Sequence, residues 1–217
     1  MDNNAKRLGR SRLVPGLCPP TAPCYGRAMI LLRHGQSEFN LHFAVNRRDP
    51  GIVDPRLTDL GHAQAEAAAE ALAARAEAGE PITRIVVSPY TRALQTARPV
   101  ARALGVPVIV EALVRERFAF ACDIGTPRGT LEQEWPEHDF SAIEEIWWPQ
   151  DEETEASIVG RAARFRNELA ERHDWPHTLV VSHWGFILSM TGQSAMNGQW
   201  LRCDPTEPGP ERLVWRA

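Results

Sequence analysis

Residues 29–35 read MILLRHG, residues 84–89 read RIVVSP and residues 178–183 read TLVVSH. Each segment opens on an aliphatic run too short for a helix and closes on residues that carry charge or hydrogen bonds. Continuous rather than alternating hydrophobicity marks strands covered on both faces, the signature of a largely parallel sheet. VPVIV (106–110) is a fourth strand candidate, and QWLRC (199–203) and RLVW (212–215) are candidate edge strands. Helical stretches lie between them. Residues 58–78 are alanine-rich, with Thr58 as N-cap and Gly79 just past the end. Residues 89–104 follow Ser88 as a cap, place Pro89 at the first helical position and stop at Gly105. Residues 152–172 set Ile158, Arg161, Phe165 and Leu169 at helical spacing behind an acidic start. The alternation of strand and helix predicts an α/β domain.

One stretch breaks the alternation. Residues 117–150 hold Pro127, Pro136, Pro149 and the tryptophans Trp135, Trp147 and Trp148, and read as a lid-like insertion. Tryptophans exposed there would mark an interface. Residues 1–28 carry Lys6 and four arginines against Asp2, with four prolines, and read as a disordered leader that cannot bury enough apolar surface to order itself. The domain is then 29–217.

Composition excludes several chemistries. The 217 residues contain 23 arginines but a single lysine, Lys6, which removes P-loop and Schiff-base mechanisms. The net charge of −4 becomes −8 once the five basic residues and one acid of the leader are set aside, so no broad basic face awaits nucleic acid. No apolar run reaches the length of a membrane span or a secretory signal, and a cytoplasmic location is expected. Cys18, Cys24, Cys122 and Cys203 form no CxxC pair and read as reduced thiols. His173 and His177 have the spacing of a metal pair, but Pro176 between them argues against it, and no metal or other cofactor is expected.

The chemistry should sit beyond the carboxyl ends of the strands, where open α/β sheets bind ligands. There the sequence places Arg33-His34-Gly35, Ser88-Pro89 with Arg92 one turn on, and Ser182-His183. A single such residue is ordinarily a solvated loop residue, but three coincident junctions put two histidines and two arginines at one crevice. Arginine forks suit a phosphoryl group. Without metal or lysine, a neutral histidine is the available nucleophile.

These blocks carry a family resemblance. LLRHGQSEFN (31–40), LTDLGHAQA (57–65), SPYTRALQTA (88–97), LVRER (113–117) and VVSHWGF (180–186), in that order, resemble the histidine phosphatase superfamily, in its phosphoglycerate-mutase-like branch, over essentially all of 29–217. The resemblance implies a three-layer α/β/α fold with a mostly parallel central sheet. It also implies that His34 takes the phosphoryl group as a phosphohistidine, that Arg33, Asn40, Arg92 and His183 hold the phosphate oxygens, and that Glu116 is the general acid and base. An acid role for Glu116 at neutral pH requires either a raised pKa or protons delivered through the phosphate, so its neighbours Arg115 and Arg117 are expected to point away. The plain alternative is a surface charge in an RER run, with Glu111 as the spare candidate.

Gln36, Ser37, Arg47 and Trp184 are candidate substrate contacts, and Gly35 is expected to let backbone approach the ligand closely. Trp184 would narrow the pocket or stack on an organic leaving group, with Phe118, Phe120, Trp147 and Trp148 nearby, although packing beneath the insertion explains these aromatics equally well. Asp123 and Arg128 are candidate polar contacts of the insertion. The expected activity is metal-independent hydrolysis of a small phosphorylated metabolite. A mutase shares the intermediate, but the family's mutases carry longer segments after the general acid and around the second histidine. A catalytically silent phosphate-binding module is the third reading, and it has no need of Glu116. Neither the physiological substrate nor the oligomeric state is legible.

Overall fold

A computed structural model describes residues 27–215. The proposed leader lies outside the described residues but for its last two positions, as do Cys18 and Cys24. In chain order the elements are β1 (Met29–Arg33), α1 (Glu38–Asn46), α2 (Asp59–Glu77), β2 (Arg84–Val87), α3 (Thr91–Leu104), β3 (Val108–Val110), α4 (Arg128–Glu134), α5 (Glu155–Ala170), β4 (Thr178–Ser182), α6 (Trp184–Thr191) and β5 (Trp200–Cys203). The sheet order is β3-β2-β4-β1-β5. All neighbours are parallel except β5, which runs antiparallel along the edge beside β1.

The strand alternation explains the three layers. Ile30, Leu32, Ile85, Val87, Leu179 and Val181 point to one face and pack with Ala69 and Leu72 of α2 and Leu94 and Ala97 of α3. Met29, Leu31, Val86 and Val180 point to the other and pack with Phe165 of α5 and Phe186 of α6. Both faces are dry, which is why these strands read as unbroken apolar runs.

Register delivers the site. Leu32 lies opposite Val181 of β4, and Val181 lies opposite Val87 of β2, so the three strands end level. Two further bonds hold the exits together: the His34 amide donates to the Ser182 carbonyl at 3.0 Å, and the Ser88 amide donates to the Val181 carbonyl at 3.1 Å.

Several expectations need correction. Thr58 caps α2 as expected, its hydroxyl accepting from the Gly61 amide. Helix α3, however, starts at Thr91 with Tyr90 at the N-cap, so neither Ser88 nor Pro89 begins it. Its cap comes from far away in sequence: the buried Asp54 carboxylate accepts from the Thr91 amide at 3.0 Å and the Thr91 hydroxyl at 2.7 Å. RLVW forms no strand over its described residues, 212–215. The tryptophans of the insertion are not a surface patch. Trp135 and Trp147 are buried in the α2/α3 core and Trp148 packs against it, with Tyr90 edge-on to Trp147 at 4.6 Å. No helix among the described residues is long and apolar enough to cross a membrane.

Candidate active site

A cleft of about 730 Å³ opens beyond the ends of β1, β2 and β4, and its wall includes Arg33, His34, Asn40, Arg92 and Glu116. His34 is buried, and its Nδ1 lies 2.6 Å from the Gly35 carbonyl oxygen. A carbonyl only accepts, so Nδ1 carries the proton and Nε2 keeps its lone pair. Burial, followed by the Arg92 and Arg33 charges, holds the ring's pKa well below the usual histidine value. His34 is therefore a neutral imidazole with a free lone pair.

His183 is fully buried behind His34, the ring centroids 5.1 Å apart, and is not itself part of the cleft wall. The Ser88 hydroxyl is 2.7 Å from its Nε2. With that hydroxyl donating, Nδ1 carries the proton, yet this buried nitrogen has no partner among the described residues. Arg33 presents the same situation. Its Nη1 donates to the Ala195 carbonyl at 2.8 Å, while its buried Nε has no partner. Burial, partly offset by the facing Glu116, lowers the Arg33 pKa to about 10, still charged at neutral pH. Seven buried side-chain nitrogens lack a partner among the described residues, and Arg33 Nε and His183 Nδ1 are the two that adjoin His34, where a bound oxyanion would supply acceptors.

Arg92, on the first turn of α3, is aimed by partners that the sequence did not reveal. Its Nη1 donates to the Cys122 carbonyl at 2.8 Å, its Nη2 lies 3.3 Å from Asp123 Oδ1, and its guanidinium stacks 4.3 Å from the Tyr90 ring. Asp123 in turn accepts from the Ala119 and Phe120 amides, both at 3.1 Å, and its backbone carbonyl accepts from the Tyr90 hydroxyl. Burial, opposed by Arg92, raises the Asp123 pKa to about 6. Thus Asp123, expected as a contact of the insertion, is the buried counter-charge that orients Arg92. Arg128 stays outside the cleft, 3.6 Å from Glu132 and 3.7 Å from Glu145.

Glu116 faces the same cleft. The Arg117 amide donates to its Oε1 at 2.8 Å, and the Gly185 amide reaches Oε1 at 3.0 Å and Oε2 at 3.1 Å. A Cβ at position 185 would stand 2.4 Å from Oε1, so glycine is required there for the carboxylate to dock. Arg115 turns toward Glu153, 3.6 Å away, and the Arg117 guanidinium is held by the Glu153 carbonyl and Glu152. Both are directed to other partners, although Arg117 also lines the cleft.

Asn40 caps its own helix. Its Oδ1 accepts from the Ser37 amide and hydroxyl and from Asn197 Nδ2, so only its amide nitrogen remains for a ligand. Asn197, unnoticed in the sequence, also donates to the His34 carbonyl at 3.1 Å and lines the cleft. Ser37 reaches the wall as the N-cap of α1. Gln36 does not line the cleft: its Oε1 accepts from Thr58 at 2.9 Å, because its chain turns toward the start of α2. The reason for Gly35 also differs from expectation. A Cβ there would lie 2.3 Å from the Gly61 carbonyl, so the close approach is to α2 and not to a ligand.

Arg47, in the left-handed conformation at the end of α1, and Trp184 both line the cleft. Of the aromatics expected beside Trp184, Phe120 is present but Phe118, Trp147 and Trp148 are not; Phe39, Phe43 and Trp215 stand in their place. Glu111 caps the short turn 112–114 through the Leu113 amide and stays outside the cleft. No group of three or more metal-ligating side chains converges among the described residues, and Cys122 and Cys203 are free and buried.

The likeness to known proteins follows the same geometry. A glucosyl-3-phosphoglycerate phosphatase of Mycolicibacterium vanbaalenii is 31% identical over 180 residues, covering 76% of this chain and 72% of that protein. Phosphoserine phosphatase 1 of Hydrogenobacter thermophilus is 33% identical over 159 residues, covering 70% and 68%. Among solved structures, mycobacterial glucosyl-3-phosphoglycerate phosphatase complexed with VO3 shares 25% identity and a TM-score of 0.56, over 82% of this chain and 90% of that one. The model of the histidine phosphatase superfamily (branch 1) matches residues 29–204, and the chain belongs to that superfamily.

Proposed function

We propose that the protein hydrolyses small phosphomonoesters through a phosphohistidine on His34. The observation that carries the reading is the pairing of a neutral His34, its Nε2 lone pair free, with the orphaned donors Arg33 Nε and His183 Nδ1. In the first step Nε2 bonds to phosphorus as the ester oxygen departs, and Glu116 gives that oxygen its proton. In the second, Glu116 takes a proton from water as the water oxygen bonds to phosphorus and the N–P bond breaks, releasing inorganic phosphate. Arg33, Arg92, His183 and the Asn40 amide hold the three equatorial oxygens as charge develops on them.

The relatives described above are phosphatases, which supports hydrolysis over transfer. Arg117, Ala119, Phe120, Cys122 and Asp123 of the insertion line the cleft, while its Leu131, Trp135, Phe140, Ile143 and Trp147 pack on the core, so its lid role belongs to residues 117–123. Cytoplasmic residence is part of the same reading and rests on the two free thiols.

The test is phosphate release from a panel of phosphomonoesters, with and without chelator, by the wild type and by His34→Ala. Chelator-resistant release that disappears in the variant is expected. Isomerised product without free phosphate would instead make the protein a mutase, and inertness over the whole panel would leave a phosphate-binding module.

A further inference from the structure

The half of the cleft away from His34 has a different chemistry. Phe39, Phe43 and Phe120 form a cluster with ring centroids 5.1 to 5.5 Å apart. Opposed to sequence expectation, the C-terminal segment brings Trp215 to the cleft, where it meets Trp184 at 5.8 Å and takes the Arg117 guanidinium at 5.3 Å over its ring. The Trp184 ring plane is itself fixed by a 2.8 Å bond from Nε1 to the Ser194 hydroxyl. Phe120 is 41% exposed and Met196 74% exposed, so this is an open apolar wall and not core.

Several of the polar groups around it are held by partners within the protein. Ser194 holds Trp184, Ser37 and Asn197 hold Asn40, and Asp123 holds Arg92 and two backbone amides. Beyond the Arg47 and Arg117 guanidiniums and the Asn40 amide nitrogen, few side chains of the wall are placed to hydrogen-bond the hydroxyls of a sugar or glycerate, while Phe120 is exposed and Phe43, Trp184 and Trp215 are half-buried. A site whose polar atoms are spent internally gains from an apolar ligand and gains little from a hydroxylated one.

The geometry points to a phosphomonoester with an aromatic alcohol portion as the substrate class, its ring seated between Phe120 and the Trp184–Trp215 pair. This deepens the phosphohydrolase reading and takes from it only that the phosphoryl group sits against His34. Trp184, Trp215 and Phe120 are then the residues that set specificity.

Binding tests it independently of turnover. Benzylphosphonate, methylphosphonate and 2,3-dihydroxypropylphosphonate share an uncleavable phosphoryl head and are titrated calorimetrically into the full chain. Benzylphosphonate should bind at least about tenfold more tightly than either of the others, because its ring stacks on aromatic side chains. Trp184→Ala, Trp215→Ala and Phe120→Ala should each reduce that ratio to below about threefold. Phe120 and Trp215 lie outside helices and keep the test decisive if Trp184→Ala disturbs α6. Equal affinities, tight binding of the dihydroxypropyl compound, or a preference that survives all three substitutions would overturn the inference. If the preference holds while benzyl phosphate is not hydrolysed, the aromatic subsite stands and the hydrolase reading fails.

Discussion

The two ends of the cleft are built in opposite ways. At the end proposed to hold phosphate, His34, Arg92 and His183 are buried and Arg33 half-buried, on strand exits and the first turn of a helix, and each is fixed by backbone or side-chain partners. At the other end, Phe43, Phe120, Met196 and Trp215 stand on a short helix, loops and a tail, and Phe120 and Met196 are exposed. The proposed chemistry, which tolerates no displacement, is placed on the sheet, and the proposed recognition of the rest of the substrate falls to a short helix, loops and the tail, the kind of segment that in general tolerates substitution.

That contrast makes separable demands on mutants. The largest effect belongs to His34→Ala, which removes the proposed nucleophile and should lower kcat by on the order of 10⁴-fold or more. Glu116→Gln should cost about 10²- to 10⁴-fold in kcat, most with esters whose leaving alcohol is a poor acid. Gly185→Ala should resemble it, since its Cβ would displace the carboxylate from 2.4 Å; activity rates against leaving-group acidity check both.

Asp123→Asn sharpens the comparison, because the residue sits within the insertion yet serves the phosphate end. Loss of the counter-charge leaves the buried Arg92 with the Cys122 carbonyl and the Asp54 charge, expected to cost up to about 3–5 kcal/mol of stability by urea unfolding. It should also lower kcat by up to about 10²-fold while binding of a neutral aromatic fragment is unaffected. Uniform loss at both ends would break the distinction.

The smallest effect is on pH dependence. His34 and His183 both have pKa values well below the ordinary histidine range, chiefly through burial. Below about pH 6.5 the unfolded chain takes up protons that the buried rings refuse. Stability is therefore complete above that pH and falls as pH drops below it, by up to about 1.4 kcal/mol per unit for each ring. His183→Asn should flatten the slope. By the same shift, protonation of His34 should leave kcat/KM untouched between pH 7 and 6.

The sheet and the phosphate end were readable because their signals are local. Double-sided burial makes continuous apolar runs, and the candidate catalytic residues follow those runs directly. What escaped depends on pairing across long stretches of chain. Asp54 caps a helix 37 positions away, Asp123 aims an arginine 31 positions away, and Asn197 reaches the carbonyl of His34 over 163. Helix α1 was missed because Phe39 is its one buried residue, which leaves no apolar stripe to detect. The RLVW segment looked like a strand, but its tryptophan docks on Trp184 and Arg117 rather than on the sheet edge.

The central claim is a covalent bond from phosphorus to His34 Nε2. It is tested most directly by quenching the full-length enzyme in base during turnover of a phosphomonoester, then locating the phosphoryl group by peptide mapping and NMR. The expected result is an acid-labile, base-stable phosphoryl group on Nε2 of His34, absent from His34→Ala. Steady turnover with no trapped phosphoprotein, or a phosphoryl group on His183, would contradict it.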